Sequence, residues 1–270
     1  MIRVAFIGDI VGKPGREMLK SHLAKLKNEL CIDFVIANYE NASHGFGLVR
    51  KNAVELFGYG VDFMTGGNHT WDKKEIVSLF ADFPLIRPLN YPDEVEGEGY
   101  KILHVKDRQI AIINVLGHYG MPMVENPFTK TQKLVQSLHV KGIKHIFIDF
   151  HAEATAEKRG LLMMLKGKVS ALWGTHTHVG TDDLSVIEGT CYVSDVGLSG
   201  CRDNVIGMEE NAPIKRMSTG LPASLDIPKK CKKIMQFILC DIDDEGKCLQ
   251  AYKYRIFDDR QTLIQEALYE

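Results

Sequence analysis

Two histidines one residue apart, His176 and His178, follow the apolar run 171–173. In an extended segment, residues i and i+2 point to the same side. Two imidazoles on one side make poor core material, because each ring has two nitrogens that need partners. They are good ligands for metals such as zinc, iron, manganese or nickel. Alone, the pair fits two hydrogen-bonded loop histidines equally well, so the rest of the chain must supply the other ligands.

Further groups able to bind metal follow the other predicted strands. These groups are Asp9 after strand 2–7, Glu40 and Asn41 after strand 34–37, Asn68 and His69 after strand 61–65, and His151 after strand 146–150. In layered α/β proteins, chemistry collects at the carboxyl ends of strands. Each group taken singly also fits a helix cap, a turn or a surface side chain. Without His69, these groups and the histidine pair make seven oxygen and nitrogen ligands, which are too many for one ion but suit two.

The elements that must position these groups alternate between strand and helix over the first 180 residues. Apolar residues at helical spacing predict helices after Pro14 and over 49–57, 72–80, 130–138 and 153–165. Asp72 and Glu75 are spaced as a capping box for the third of these helices. Residues 102–105 and 110–115 predict a hairpin. This alternation favours an α/β fold with helices covering the sheets.

The last third of the sequence differs in character. Residues 199–229 are predicted to form a long irregular excursion, and 230–270 a terminal hairpin followed by a polar helix from about residue 259. No linker, internal repeat or low-complexity tract interrupts the chain, which favours a single domain over residues 1–270.

Charge and composition exclude several classes of protein. The net charge is −2 and the pI about 6.6, so stable nucleic-acid binding is not expected. No apolar run approaches the ~20 residues of a membrane span, and the N-terminus runs directly into a strand rather than a signal peptide. The six cysteines have irregular spacing, which favours free thiols in a reducing cytosol over a disulfide framework. A cytoplasmic protein without membrane association is expected.

The first loop raises two nucleotide-binding alternatives. Gly8 to Lys13 is one residue too short for a phosphate-binding P-loop, and Pro14 stands where Ser or Thr should follow the lysine. A Gly-x-Gly-x-x-Gly fingerprint is also absent there. Neither alternative is favoured.

The set of segments resembles the calcineurin-like metallophosphoesterase superfamily. The segments that carry the resemblance are Gly8-Asp9, Gly67-Asn68-His69, His151 and Gly174-Thr175-His176-Thr177-His178. Two departures are similar to the bacterial YmdB-like branch. The usual Asp-x-His after the first strand is Asp9-Ile10-Val11 here, so one histidine ligand is missing, and Glu40 stands where a bridging aspartate is usual. The likeness extends through residues 12–16, 67–72, 149–155, 195–197, 205–208 and 219–222, and so covers most of the chain.

The resemblance implies a metallophosphoesterase-type four-layer α/β/β/α sandwich with mixed sheets. It also implies a dinuclear centre, with iron expected and manganese, zinc or magnesium as alternatives. By this resemblance Glu40 bridges the ions. Asp9, Asn41 and His178 complete one site, and Asn68, His151 and His176 complete the other. The implied activity is that of a phosphodiesterase acting on 2′,3′-cyclic nucleotides or related small phosphodiesters by attack of a metal-bridging hydroxide.

One catalytic residue is expected beside the ligands. His69 is predicted to donate a proton to the leaving alkoxide, or to hydrogen-bond the phosphate in the transition state. A structural role for His69 remains open, and Asp72 either orients His69 or caps a helix.

Three other points stay open at this stage. The same metal centre would serve a phosphomonoesterase or nucleotidase, and a metal-binding regulatory protein acting through a partner is a further alternative. Substrate-binding residues are not identified, although the loops 42–48, 116–128 and 199–222 are candidates. The same loops are candidates for contacts in a homo-oligomer.

Overall fold

The strands form two seven-stranded sheets in the computed structural model, which describes residues 1–270. In the first sheet the strands are β1 (Ile2–Ile7), β2 (Phe34–Asn38), β3 (Phe63–Thr65), β10 (Gly200–Cys201), β11 (Lys233–Ile242), β12 (Cys248–Phe257) and β13 (Leu263–Glu266). In the second sheet they are β4 (Tyr100–Val105), β5 (Arg108–Leu116), β6 (His145–His151), β7 (Ala171–Thr175), β8 (Ser185–Ile187), β9 (Thr190–Val193) and β14 (Leu268–Tyr269). The six helices are α1 (Gly12–Glu29), α2 (Arg50–Gly58), α3 (Ile76–Asp82), α4 (Pro127–Val140), α5 (Thr155–Leu165) and α6 (Asn211–Thr219).

Both sheets are mixed. The first has the order β13-β12-β11-β1-β2-β3, with β10 beside β11, and the second has the order β14-β8-β9-β7-β6-β5-β4. Strands β1, β2 and β3 are parallel, and so are β5, β6, β7 and β9. The predicted hairpin is present, because β4 and β5 pair antiparallel.

Alternation along β1 explains how the layers stack. Val4 and Phe6 face the second sheet, whereas Ala5 and Ile7 face the helices, as the two-residue period of a strand requires. Phe6 stacks on Trp173 of the second sheet with ring centroids 4.6 Å apart. A core of 23 buried residues lies between the sheets.

Helices cover the outer face of each sheet. Residues of α1, α2 and α3 pack on the first sheet, and residues of α4 and α5 pack on the second. The predicted four-layer α/β/β/α sandwich is therefore confirmed. No helix combines the length and the apolarity needed to cross a bilayer.

Two predictions about the last third are wrong in detail. The segment after residue 259 forms the short strands β13 and β14 instead of a helix, because β13 pairs with the edge of β12 and β14 with β8. The excursion 199–229 is not irregular throughout, since it contains β10 and α6. The predicted hairpin of β11 and β12 is present.

The expectation of six free thiols is also wrong for one pair. Cys201 and Cys231 form a disulfide with their Cα atoms 5.6 Å apart. The pairing of β10 with β11 places Cys201 opposite Lys233, so the chain just before β11 returns to Cys201. Sequence spacing alone could not reveal this register. The other four cysteines are free, and three of them are buried.

Candidate metal centre

The two parallel strand sets end at one edge of the molecule, where the sheets meet. The side chain of Asn38, the last residue of β2, donates to Asp149 Oδ2 of β6 at 2.9 Å, and this bond joins the two sheets. All eight predicted site residues lie at or just after strand ends at this edge. The buried members are Asp9, Glu40, Asn41, His151 and His178, and the half-buried members are Asn68, His69 and His176.

The first group of ligand atoms converges on His151. Its Nε2 lies 3.2 Å from Glu40 Oε2, 2.8 Å from Asn68 Oδ1 and 3.1 Å from His176 Nδ1. A single ring nitrogen offers one hydrogen or one lone pair, so it cannot satisfy three such neighbours. A cation among these four atoms would satisfy them all.

The second group shares Glu40 with the first. The ligand atoms of Asp9, Glu40 and His178 lie within 4.8 Å of one another. Asn41 Oδ1 lies 3.2 Å from His178 Nε2. Asp9 Oδ1 is fully buried and has no hydrogen-bond partner. An unpaired buried carboxylate oxygen is costly, so this donor set fits a bound cation.

The electrostatics of the two groups favour positive charge. Burial alone would lower the pKa of His151, but the carboxylates of Glu40 and Asp9 raise it to about 9. Burial would raise the pKa of Glu40, but His151 lowers it to about 2. The carboxylates therefore attract a positive charge, and a metal ion bound there would compete with the proton for the same place. Burial lowers the pKa of His176 to about 3, which keeps this imidazole neutral, as metal ligation requires.

Each of the three histidines His151, His176 and His178 has a second partner that orients its ring. His178 Nδ1 donates to Ile206 O at 2.7 Å, which leaves Nε2 for the second group. His176 Nε2 lies 3.1 Å from Glu153 Oε2, which leaves Nδ1 for the first group. His151 Nδ1 lies 2.9 Å from Thr175 Oγ1. Such partners fix the tautomer and orientation of metal-ligating histidines.

The predicted geometry of the histidine pair is wrong. Strand β7 ends at Thr175, so His176 and His178 do not share one side of an extended segment. Their φ angles are 99° and 66°, and the turn sends one ring to each group. The pair reaches the site because of this left-handed backbone, not because of strand alternation.

His69 lies at the margin of the first group. Its backbone N–H donates to Glu40 Oε2 at 2.9 Å, and its ring Nδ1 lies 2.8 Å from Asp72 Oδ2. The predicted capping box is absent, because residues 68–75 form turns, α3 begins at Ile76 and Glu75 instead accepts from Arg50 N. Asp72 therefore orients His69 and leaves its Nε2 without a protein partner.

Several buried groups beneath the ligands escaped sequence reasoning. Asp149 accepts hydrogen bonds from Thr65 Oγ1 and Thr175 Oγ1, each at 2.6 Å, in addition to the bond from Asn38. The sequence signal for Asp149 was a carboxylate inside an otherwise apolar strand. Lys158 on α5 is completely buried and bonds to Asp195. The sequence signal for Lys158 was its helical spacing to Leu161 and Leu165, which places a charged residue on the apolar face of α5.

Comparison with known proteins agrees with this architecture. Residues 5–254 match the model of the YmdB-like protein family. A 2′,3′-cyclic-nucleotide 2′-phosphodiesterase of Bacillus subtilis is 42% identical over 248 residues, which cover 91% of this chain and 93% of that protein.

Solved structures give the same picture. A crystal structure described as a novel phosphatase from Mycoplasma pneumoniae has a TM-score of 0.90 at 33% identity, covering 95% of this chain and 93% of that one. A 5′-nucleotidase precursor from Thermus thermophilus shares the fold, with a TM-score of 0.57 at 13% identity, covering 99% of this chain and 54% of that one. The chain therefore belongs to the YmdB-like family and has the metallophosphoesterase-type fold.

Proposed function

We propose that the chain is a dinuclear metal-dependent phosphodiesterase that hydrolyses 2′,3′-cyclic nucleotides or related small phosphodiesters. The observation that carries the proposal is the pair of ligand groups that share Glu40, one with His151 and His176 and the other with Asp9 and His178. The phosphodiesterase activity named for the Bacillus subtilis relative, which covers most of the chain, supports the substrate class.

The residues present fit two ions. In the proposed assignment Glu40 would be shared by both ions. Asp9, Asn41 and His178 complete one site, and Asn68, His151 and His176 complete the other. Two ions bound there would supply an activated water nucleophile and would clamp and polarise the phosphate oxygens. The donors are oxygen and nitrogen without thiolate, which suits iron, manganese, zinc or magnesium, and the family relationship favours iron.

The ligand charge favours an anionic substrate. Asp9 and Glu40 are the only carboxylates among the seven proposed ligands, so two divalent ions would leave the centre with net positive charge. A phosphodiester carries one negative charge and would be attracted to it. Recognition of a small phosphodiester therefore needs no basic surface, in agreement with the net charge of −2.

His69 is proposed as the proton donor to the leaving ribose oxygen. Asp72 Oδ2 lies 2.8 Å from Nδ1 and accepts its proton, so the proton that His69 would donate is the second proton of the imidazolium, on Nε2. The side chain of His69 is 29% exposed, so a bound substrate can reach it. The ring also contacts Phe46 edge to face at 4.8 Å, which limits its rotation. Donation from a held imidazole accelerates the departure of an alkoxide.

The test combines metal analysis with paired substrates. Protein purified without chelator should contain two ions per chain. It should hydrolyse a 2′,3′-cyclic nucleotide and bis(p-nitrophenyl) phosphate faster than p-nitrophenyl phosphate when supplied with Fe²⁺ or Mn²⁺. Removal of the metal should abolish turnover, and Mn²⁺ should restore it.

The other outcomes identify the competing functions. Faster hydrolysis of the monoester would favour a phosphatase or a nucleotidase, and the description of the Mycoplasma pneumoniae structure names a phosphatase. Two bound ions with no turnover of either substrate would favour a metal-binding regulatory protein. Absence of bound metal would refute the dinuclear centre.

A further inference from the structure

The loop that carries His176 and His178 has a backbone conformation that needs support. Both residues have positive φ angles, 99° and 66°. Residues with a side chain rarely adopt this region, and they keep it only where their surroundings enforce it. The ligand assignment in the proposed function requires this loop shape, since it sends the two rings to different groups.

Two completely buried charged residues hold the loop on either side of His176. Lys158 Nζ donates to Thr175 O at 2.9 Å, and Asp195 Oδ2 accepts from Thr177 N at 3.0 Å. The two charges also bond to each other, with Lys158 Nζ 3.0 Å from Asp195 Oδ2. The exposed fractions of their side chains are 0% and 1%. The peptide groups before and after His176 are therefore fixed by one ion pair.

The segment that begins at Asp195 extends this support to Asp9. Leu198 N donates to His178 O at 3.2 Å, and Ser199 N donates to Asp9 O at 2.8 Å. Asp9 Oδ2 in turn accepts from His176 N at 3.2 Å. The Lys158–Asp195 ion pair is thus part of a hydrogen-bond network that includes residues of both ligand groups.

We infer that Lys158 and Asp195 are positioning residues for the metal centre and form a clamp that keeps the 175–178 loop in its ligating shape. The inference rests on the proposed function, because it takes His176 and His178 as ligands. A buried ion pair is weak evidence for stability, since apolar residues of similar volume can replace it without loss. Directed hydrogen bonds to two specific peptide groups are what apolar residues cannot supply.

A second buried lysine provides a matched control. Lys253 is 1% exposed, and its Nζ donates to Thr181 O at 2.8 Å and to Asp195 O at 3.2 Å. It makes no hydrogen bond to residues 174–178. Lys158→Met and Lys253→Met both remove an ammonium group from the interior beside Asp195, but only the first removes a bond to the loop.

The experiment compares these variants with Asp195→Asn. Equilibrium dialysis against Mn²⁺ with elemental analysis gives the stoichiometry and affinity, and urea unfolding of the metal-free proteins gives their stability. Lys158→Met and Asp195→Asn should weaken Mn²⁺ binding by about 10- to 100-fold, the usual effect of losing an outer-shell partner. Lys253→Met should bind two ions at parental affinity even where it loses comparable stability.

A measurement on the metal-free protein separates this inference from the proposed function. Nuclear magnetic resonance of the histidine rings in the metal-free protein should show shifted His176 and His178 signals in Lys158→Met but not in Lys253→Met. If Lys158→Met does not fold, the double substitution Lys158→Met with Asp195→Leu removes both charges and serves in its place. Equal metal affinity and equal ring signals in the two lysine variants would overturn the clamp. Normal metal binding without phosphoester hydrolysis in the parent would instead refute only the proposed function.

Discussion

Gly67 lies where the first ligand group leaves no space for a side chain. A Cβ atom at this position would lie 2.3 Å from Glu40 Oε2 and 2.6 Å from His151 Nε2. The backbone of Gly67 is not left-handed, so alanine is permitted by conformation and excluded by contact alone. Gly67→Ala therefore tests whether Glu40 and His151 are packed as the structure places them.

The size of the effect follows from the distance. Ordinary contacts of a Cβ begin at 3.4 Å, so Glu40 would have to retreat by about 1 Å. The turn itself resists movement, because Thr70 Oγ1 accepts from Gly67 N and donates to Gly67 O. A misplacement of ~1 Å in a catalytic site costs about 100-fold in rate, equivalent to about 2.7 kcal/mol. Overpacking should also lower the free energy of unfolding by about 1–3 kcal/mol.

Gly58→Ala is the matched control for this substitution. Gly58 ends α2, and a Cβ atom added there would have no neighbour within 4 Å, so alanine should leave the rate unchanged and alter stability by less than about 1 kcal/mol. Both variants are measured by metal content, by turnover of bis(p-nitrophenyl) phosphate and by urea unfolding. A Gly67→Ala protein with two ions at parental affinity and parental turnover would show that Glu40 and His151 do not enclose Gly67.

Three further predictions concern the histidines and a buried lysine. His69→Ala should keep both ions but lower kcat by about 10²- to 10⁴-fold, and an unchanged kcat with metal bound would exclude proton donation. His176→Ala should release the ion held with His151, and His178→Ala the ion held with Asp9, as metal titration can distinguish; two ions at full affinity in either variant would contradict the assignment. Burial lowers the pKa of Lys253 to about 8 from 10.5, so the folded state loses its proton first as pH rises. Between these pH values the free energy of unfolding of the parent should rise by about 3 kcal/mol relative to that of Lys253→Met. If urea unfolding gives the same stability difference between the two proteins at pH 7 and at pH 11, the prediction is refuted.

The location of the site was predictable because topology, not detailed packing, sets it. Parallel strands place their carboxyl ends at one edge of a sheet, so Asp9 after β1 was expected near Glu40 after β2, and His151 at the end of β6 near His176 after β7. The stacking of the two sheets then brings these two edges together. The family resemblance added the division into two groups, and the structure places the side chains in those groups. The role of each side chain as a ligand stays a prediction until metal is measured.

The features that the sequence did not reveal all depend on register or burial between distant segments. The Cys201–Cys231 disulfide depends on β10 lying beside β11. The strands after residue 259 depend on free edges of β12 and β8, which override local helical preference. Lys158 has the helical spacing of the buried Leu161 and Leu165, but the sequence does not reveal the partners of its ammonium group, which come from β7 and from Asp195.

The histidine pair His176 and His178 shows both what could be predicted from the sequence and what could not. Its residue types and its place after an apolar strand predicted a metal-binding role, but the reason offered, alternation along an extended strand, does not hold. A regular strand would have sent both rings to one side, and one ion would then have taken both ligands. The left-handed turn at His176 and His178 instead divides the pair between two groups that share Glu40. Since such a turn is unfavourable for residues with side chains, the hydrogen bonds of Lys158 and Asp195 on either side of His176 help to keep the two rings in separate groups, as the proposed two-ion site requires.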